Sequence, residues 1–235
     1  MTDEIEWWDY EDVEEMAEAV AGDIGFVIES AIDARGACVI ALAGGKTPLP
    51  IYDKLAKAKI DWKRVTIIPG DERLVPLGDP LSNVTAIGKA FLPKGARVIP
   101  LVSVTAPDYK AAGRSADALL QDLHFPLDLC LLGVGADGHA ASIFPGPDYD
   151  EALSGPRERR ALGVMPDPMP QDAPVARVTL SRAAIVSARS VMIAVTGEEK
   201  KAVIEAGLRE GASSPYPIGR ILADVELPID IHWAP

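Results

Sequence analysis

The sequence predicts an α/β fold: a parallel sheet with helices packed against its faces. Short apolar runs that read as buried strands alternate with stretches of helical apolar spacing, and Gly, Pro, Asn or Ser mark the junctions. Alternation of this kind is the pattern of parallel strands joined by helical crossovers.

From Val13, the residues Met16, Ala17, Val20, Ile24, Val27, Ile28, Ala31 and Ile32 recur at helical spacing and predict a long amphipathic first helix. Its acidic start suits the helix dipole. "ACVIAL" (37–42) is a continuous apolar run, as expected of a strand covered on both faces. Thr47 is placed to cap, and Pro48 to open, a helix over "PLPIYDKLAKA". The pattern repeats as strand "RVTIIP" (64–69), a helix from Ser82 through Leu92, strand "RVIPL" (97–101), a helix from Pro107 to Leu123 and strand "LDLCLLGVG" (127–135). A Gly- and Pro-rich passage from Pro145 to Pro174 follows, containing the strand-like "RRALGVM", and is expected to be an irregular connection within one domain. "ARVTLS", a short helix, strand "SVMIAVTG" (190–197), a helix over 198–210 and the strand-like "PIDIHW" complete the chain.

With 235 residues, 48% apolar and 25% charged, the chain has the composition of an ordinary globular protein, and a single domain over 1–235 is expected. No apolar run approaches the roughly 20 residues of a membrane helix, and the N-terminus is acidic where a signal peptide is basic, so a cytoplasmic location is expected. Cys38 and Cys130 lie far apart in apolar runs, which predicts buried, reduced thiols. The net charge of −12 is concentrated: nine of the 35 acids and none of the 23 Lys and Arg fall in residues 1–20, leaving −3 for the rest. No basic stripe suggests a nucleic-acid partner, while a small anion held by a few placed cations stays open.

In open α/β sheets ligands bind beyond the carboxyl ends of the strands. Four such loops are informative. In "ALAGGKTPLP", Gly45-Lys46-Thr47 resembles the end of a Walker A loop, but Ile40 stands where that motif needs its first glycine. What remains is either a tight turn with a helix cap or an anion cradle of backbone N–H groups, Thr hydroxyl and Lys. In "PGDERLVPLGDPLSN", Asp71, Glu72 and Arg73 directly follow a buried strand, as a salt-bridged loop or as functional charge. Arg177 in "RVTLS" reads by default as a surface cation on a strand. Lys200 falls in the first turn of a helix, where a cation opposes the dipole unless a phosphate sits there.

A further loop, "GVGADGH", holds Gly133, Gly135 and Gly138 in a G-x-G-x-x-G pattern. A dinucleotide loop needs a long following helix and an acid about 20 residues on, at the end of a second strand. Pro145 and Pro147 cut any helix to about a turn and a half, and no such strand ends near residue 158. The alternative is chemistry: Asp137 and His139, two apart on a glycine-flanked turn, can reach one bound molecule, and an imidazole exchanges protons near neutral pH.

Taken in order and spacing, "LAGGKTPLPIYDKL", "GDERLVP…DPLSN", "LCLLGVGADGHAASIFPG", "RVTLS" and "VTGEEKKAV" resemble the 6-phosphogluconolactonase family from about residue 35 to the end. The resemblance implies a modified Rossmann-like sheet of the glucosamine-6-phosphate deaminase and ribose-5-phosphate isomerase type. It also implies hydrolysis of a phosphorylated sugar lactone, 6-phospho-D-glucono-1,5-lactone, with no cofactor and no metal, by a monomer or a homodimer. His139 would activate water and Asp137 would orient it. Asp71, a third catalytic candidate, and Arg73, facing substrate oxygens, would sit in the cleft, and Gly44, Gly45, Lys46, Thr47 and Lys200 would hold the phosphate, with Gly135 lining the site and Arg177 a further candidate. Two departures are visible: Lys46 stands where the family commonly has Ser or Asn, and Pro69-Gly70 where Ala is commoner. The related deaminases use a glutamate shortly after the histidine, whereas no acid follows His139 until Asp148. A sugar-phosphate-sensing regulator of this fold would need a DNA-binding segment, and the acidic N-terminus is the opposite of one.

Overall fold

The structure, a computed structural model, describes residues 5–102, 106 and 108–235. In chain order the strands are β1 (Ile5–Asp9), β2 (Cys38–Leu42), β3 (Val65–Pro69), β4 (Asp71–Arg73), β5 (Arg97–Val98), β6 (Leu129–Leu132), β7 (Ala161–Val164), β8 (Arg177–Leu180), β9 (Val191–Thr196) and β10 (Ile229–Ala234). The helices are α1 (Val13–Arg35), α2 (Leu49–Leu55), α3 (Asn83–Phe91), α4 (Tyr109–Gln121), α5 (Tyr149–Ser154), α6 (Arg182–Val186), α7 (Glu198–Glu210) and α8 (Pro217–Ile221). No helix among the described residues is long and apolar enough to cross a membrane.

Seven strands form one parallel sheet in the order β1-β10-β9-β6-β2-β3-β5. Its central strands are apolar throughout because both faces are covered. Side chains alternate between them. Cys38, Ile40 and Leu42 of β2, Leu129 and Leu131 of β6 and Met192 of β9 join the layer formed by α1, α2 and α3. Val39, Ala41, Cys130, Leu132, Val191 and Ile193 join the layer formed by α4, α6, α8 and a second sheet. Both cysteines are buried and unpaired, and burial pushes the Cys130 thiol up to about 12.

Several elements depart from the expectation. The short run Ile5–Asp9, read only as an acidic N-terminus, is an edge strand paired in parallel with β10. Its pattern is too short to distinguish from a polar leader. β4, expected as a loop, pairs antiparallel with β8, and β8 with β7, giving a separate three-stranded sheet ordered β4-β8-β7. Thr47 is not a cap: Pro48 occupies the N-cap position of α2 and no side chain bonds there. Ser82 does cap α3, accepting from the Thr85 N–H. The expected helix start at Pro107 lies outside the described residues; α4 is capped by Asp108.

The chain leaves β2 toward β3 and β5 on one side and returns through β6 to β9 and β10 on the other. The loops after β2 and β6 therefore diverge at the carboxyl end of adjacent strands and leave a crevice between them.

One buried group sets a pH limit. His232 of β10 is 1% exposed, its Nδ1 pairs with the Tyr10 hydroxyl at 2.9 Å, and its Nε2 has no partner. Burial pulls its pKa down to about 4, only partly opposed by Asp230. The unfolded imidazole titrates near 6.5, so as pH falls the unfolded chain takes up the proton first, and stability falls between about pH 6.5 and 4. The expected loss is of order 3 kcal/mol. Urea unfolding at a series of pH values should show this slope in the native protein and a shallower one in His232→Gln. Equal slopes would remove His232 as the cause.

Candidate active site

A cavity of about 370 Å³ opens at the crevice between the β2 and β6 loops. Of the residues singled out in the sequence, Gly44, Gly45, Lys46, Thr47, Asp71, Arg73, Gly135, His139, Arg177 and Lys200 all line it. Asp137 does not, but it touches one that does: Asp137 Oδ1 lies 2.5 Å from His139 Nδ1 and 3.2 Å from the His139 N–H. Burial alone would raise the Asp137 carboxyl, but the hydrogen bond and charge of His139 outweigh it and hold the carboxyl below its ordinary value. An ionised carboxylate requires a donor at Nδ1, so the tautomer assigned from this contact leaves the Nε2 lone pair free to accept a proton.

The glycines of the β6 loop have separate tasks. A Cβ on Gly135 would stand 2.3 Å from the His139 ring and 2.6 Å from Asp137 Oδ1, so the absent side chain is the slot that the pair occupies. Gly138 has φ +81, which L side chains rarely adopt, and turns the chain between Asp137 and His139. Gly133 has open space around it, and nothing in the structure explains its lack of a side chain. The residues after His139 form no helix; Val134 bridges Ala140, and Ala140 bridges Ile143.

The "DER" block is not a salt-bridged loop. Asp71 and Glu72 are 6% and 1% exposed. Glu72 accepts from the N–H groups of Arg73, Asn83 and Val84 and from the Ser82 hydroxyl, so it satisfies the start of α3. Burial raises its pKa, which those backbone donors oppose. Asp71 accepts from Ser142 Oγ at 2.5 Å and from Asn83 Nδ2 at 3.2 Å. Asn83 in turn lies under Gly44, where a Cβ would meet its amide at 2.0 Å. One network thus ties the loops after β2, β3 and β6 together.

Arg177 is not a surface cation. It is 3% exposed because β8 is the middle strand of the small sheet, and its carbonyl partner is Ala173 at 2.9 Å. Burial pulls its pKa down, while Asp71 nearby opposes the shift; a guanidinium stays charged regardless. Arg73 donates to the Leu81 carbonyl at 2.8 Å. The Nε–H of each arginine is buried without a partner, a deficit of about 1–3 kcal/mol that a bound oxygen or water would remove. Sequence reading did not single out Asp172, which also lines the cavity, or Asn83, Ser142 and Phe144. Asn83, Ser142 and Phe144 stood inside quoted motif blocks, but their roles are long-range contacts that no spacing reveals. No group of three or more His, Cys, Asp or Glu among the described residues is placed to hold a metal ion.

Fold and cavity together define an α/β enzyme with a histidine–aspartate pair set among cationic side chains. Residues 11–230 match the model of the glucosamine-6-phosphate isomerases/6-phosphogluconolactonase family, and the chain belongs to that family. It is 33% identical to a 6-phosphogluconolactonase of Rhizobium meliloti over 96% of this chain and 97% of that one. A crystal structure of a 6-phosphogluconolactonase from Shewanella baltica OS155 superposes with a TM-score of 0.91 at 28% identity, covering both chains fully. A monomeric glucosamine-6-phosphate deaminase shares the fold, with a TM-score of 0.78 at 20% identity over 97% of each chain. The sheet type implied by the sequence resemblance is therefore the one observed.

Proposed function

We propose that this protein hydrolyses 6-phospho-D-glucono-1,5-lactone to 6-phospho-D-gluconate, the second step of the oxidative pentose phosphate pathway, with the chain acting as one domain. The observation that carries the reading is the His139–Asp137 pair at 2.5 Å on the wall of a cavity that also presents Arg73, Arg177, Lys46 and Lys200. The relatives named above support the choice of substrate.

The chemistry follows from the positions. Lys46, Lys200 and the Gly44–Thr47 backbone hold the phosphate, which offsets the unfavourable placement of Lys200 in the first turn of α7. His139 Nε2 takes a proton from water as its oxygen attacks the lactone carbonyl. Asp137 keeps Nδ1 as the donor and stabilises the imidazolium that forms. Arg73, with Arg177 beside it in register across β4 and β8, faces the oxyanion of the tetrahedral intermediate. Collapse breaks the bond between the carbonyl carbon and the ring oxygen, the imidazolium returns its proton to that oxygen, and the acid ionises. Asp71 holds Ser142 and Asn83, and through them the loops that carry His139 and Gly44.

Phosphate recognition separates this function from general lactone hydrolysis. Initial rates should give a kcat/KM for the phosphorylated lactone at least about 10² above that for unphosphorylated glucono-1,5-lactone, since the loss of one buried charge-assisted contact is worth 2–3 kcal/mol. Equal values would overturn the assignment of Lys46 and Lys200.

A further inference from the structure

The hydrogen bond to Asp137 fixes one atom of the His139 imidazole but not the plane of its ring, and the Asp137 side chain is 55% exposed. A base held only by an exposed carboxylate would sample orientations in which Nε2 leaves the cavity. The plane is fixed elsewhere. The Phe144 ring lies 4.0 Å from the imidazole, centroid to centroid, with 23° between the planes. Phe144 is 7% exposed, and the Arg177 guanidinium sits 5.1 Å from its ring centroid.

The intervening chain is built to bring these rings together. Ile143 N–H donates to the Ala140 carbonyl at 3.0 Å, closing a turn that returns Phe144 to His139, five residues earlier. Within it Ala141 has φ +49, a left-handed conformation uncommon for any residue but Gly. Such strain persists only where the surroundings over-determine it. Here Ser142 does so, donating its hydroxyl to Asp71 and its N–H to Thr179 Oγ1 at 3.1 Å.

We propose that Phe144 is a positioning residue for the reaction proposed above: its ring is the shelf that holds the His139 imidazole, and beside it the Arg177 guanidinium, toward one cavity. This rests on that reading of the site. The shelf also favours the proton transfer itself, because an aromatic face within about 6 Å attracts a cation, and the imidazole becomes one as it takes the proton from water.

The test uses Phe144→Leu, Phe144→Met and Phe144→Tyr. Tyr keeps a flat face; Leu and Met keep apolar bulk without one. The expected result is a fall in kcat of about tenfold or more in Leu and Met, from misoriented base, with KM within about twofold and with Tyr near the native rate. If Leu misfolds, the Met and Tyr pair decides alone. A second readout does not depend on activity. The chain has three histidines, so their ring-proton resonances are resolvable by NMR, and His139→Asn assigns the one that matters. Stacking shifts the His139 ring protons upfield in the native protein, and that shift should vanish in Leu and Met and persist in Tyr. Full kcat in Leu and Met, a change confined to KM, an equal loss in Tyr, or His139 resonances that do not respond would each overturn the shelf. If the native protein does not hydrolyse the phospholactone, the function falls, and the resonances still decide whether Phe144 holds His139.

Discussion

His139→Asn is expected to lower kcat for the phospholactone by about 10²–10⁴, the range that a positioned general base supplies, while product affinity stays within a few-fold. Asn retains a polar side chain of similar reach beside Asp137 but has no nitrogen that accepts a proton near neutral pH. The cationic side chains that line the cavity are untouched, so phosphate binding and oxyanion stabilisation persist and leave residual catalysis above the solution rate. Because His139 is partly exposed, at 28%, and Gly135 leaves a slot for it, the substitution does not disturb the core. Initial rates corrected for spontaneous hydrolysis, beside product titration and a melting curve, check this. A folded Asn variant with native kcat would remove His139 as the base.

The second large effect is on folding. α4 lies directly on β7, backbone against backbone: a Cβ on Gly163 would stand 1.8 Å from the Tyr109 carbonyl, and one on Gly113 would stand 1.9 Å from the Gly163 N–H. Neither contact involves a side chain that can swing aside. Gly163→Ala must push α4 outward, and destabilisation of about 3 kcal/mol or more is expected, seen as a fall in Tm of about 6–12 °C for a chain of this size. The damage reaches the site through register: Gly163 pairs with Val178, and Val164 with Arg177, so β7 positions the strand that carries the buried arginine. KM should rise with the loss of stability. Gly22→Ala is the control. Its Cβ meets nothing within 4 Å on an exposed turn of α1, so a gain of about 0.5–1 kcal/mol is expected there. A melting temperature unchanged in Gly163→Ala would mean that α4 and β7 are not in such close contact.

The central sheet was legible because its strands are short apolar runs between helices of clear period: β2, β3, β5, β6, β9 and β10 each fall in a run read as a strand, whereas "RRALGVM" and "ARVTLS" became β7 and β8 of the separate antiparallel sheet. The site loops were legible for a related reason: Gly44–Thr47, Asp137, His139 and Lys200 all follow strands, where topology leaves room for a ligand. β4 and β8 were harder. Their pairing is antiparallel and non-local, joining residues more than 100 positions apart, so nothing in "DERLVP" announces a strand or the burial of Arg177. Thr47 carries the right chemistry for a cap, but the turn ends at Pro48 and leaves Thr47 on the cavity wall. Phe144 and Asn83 were not singled out in the sequence. Their partners, His139 and Asp71, come close only when strained or capped turns fold the chain back on itself.

The most direct measurement follows the decay of freshly generated 6-phospho-D-glucono-1,5-lactone with and without the native protein, near neutral pH. An initial rate above spontaneous hydrolysis, proportional to protein concentration and yielding one 6-phosphogluconate per lactone consumed, is the predicted result. A decay curve that the native, folded protein leaves unchanged would contradict the assignment of the His139 cavity as a phospholactone hydrolase.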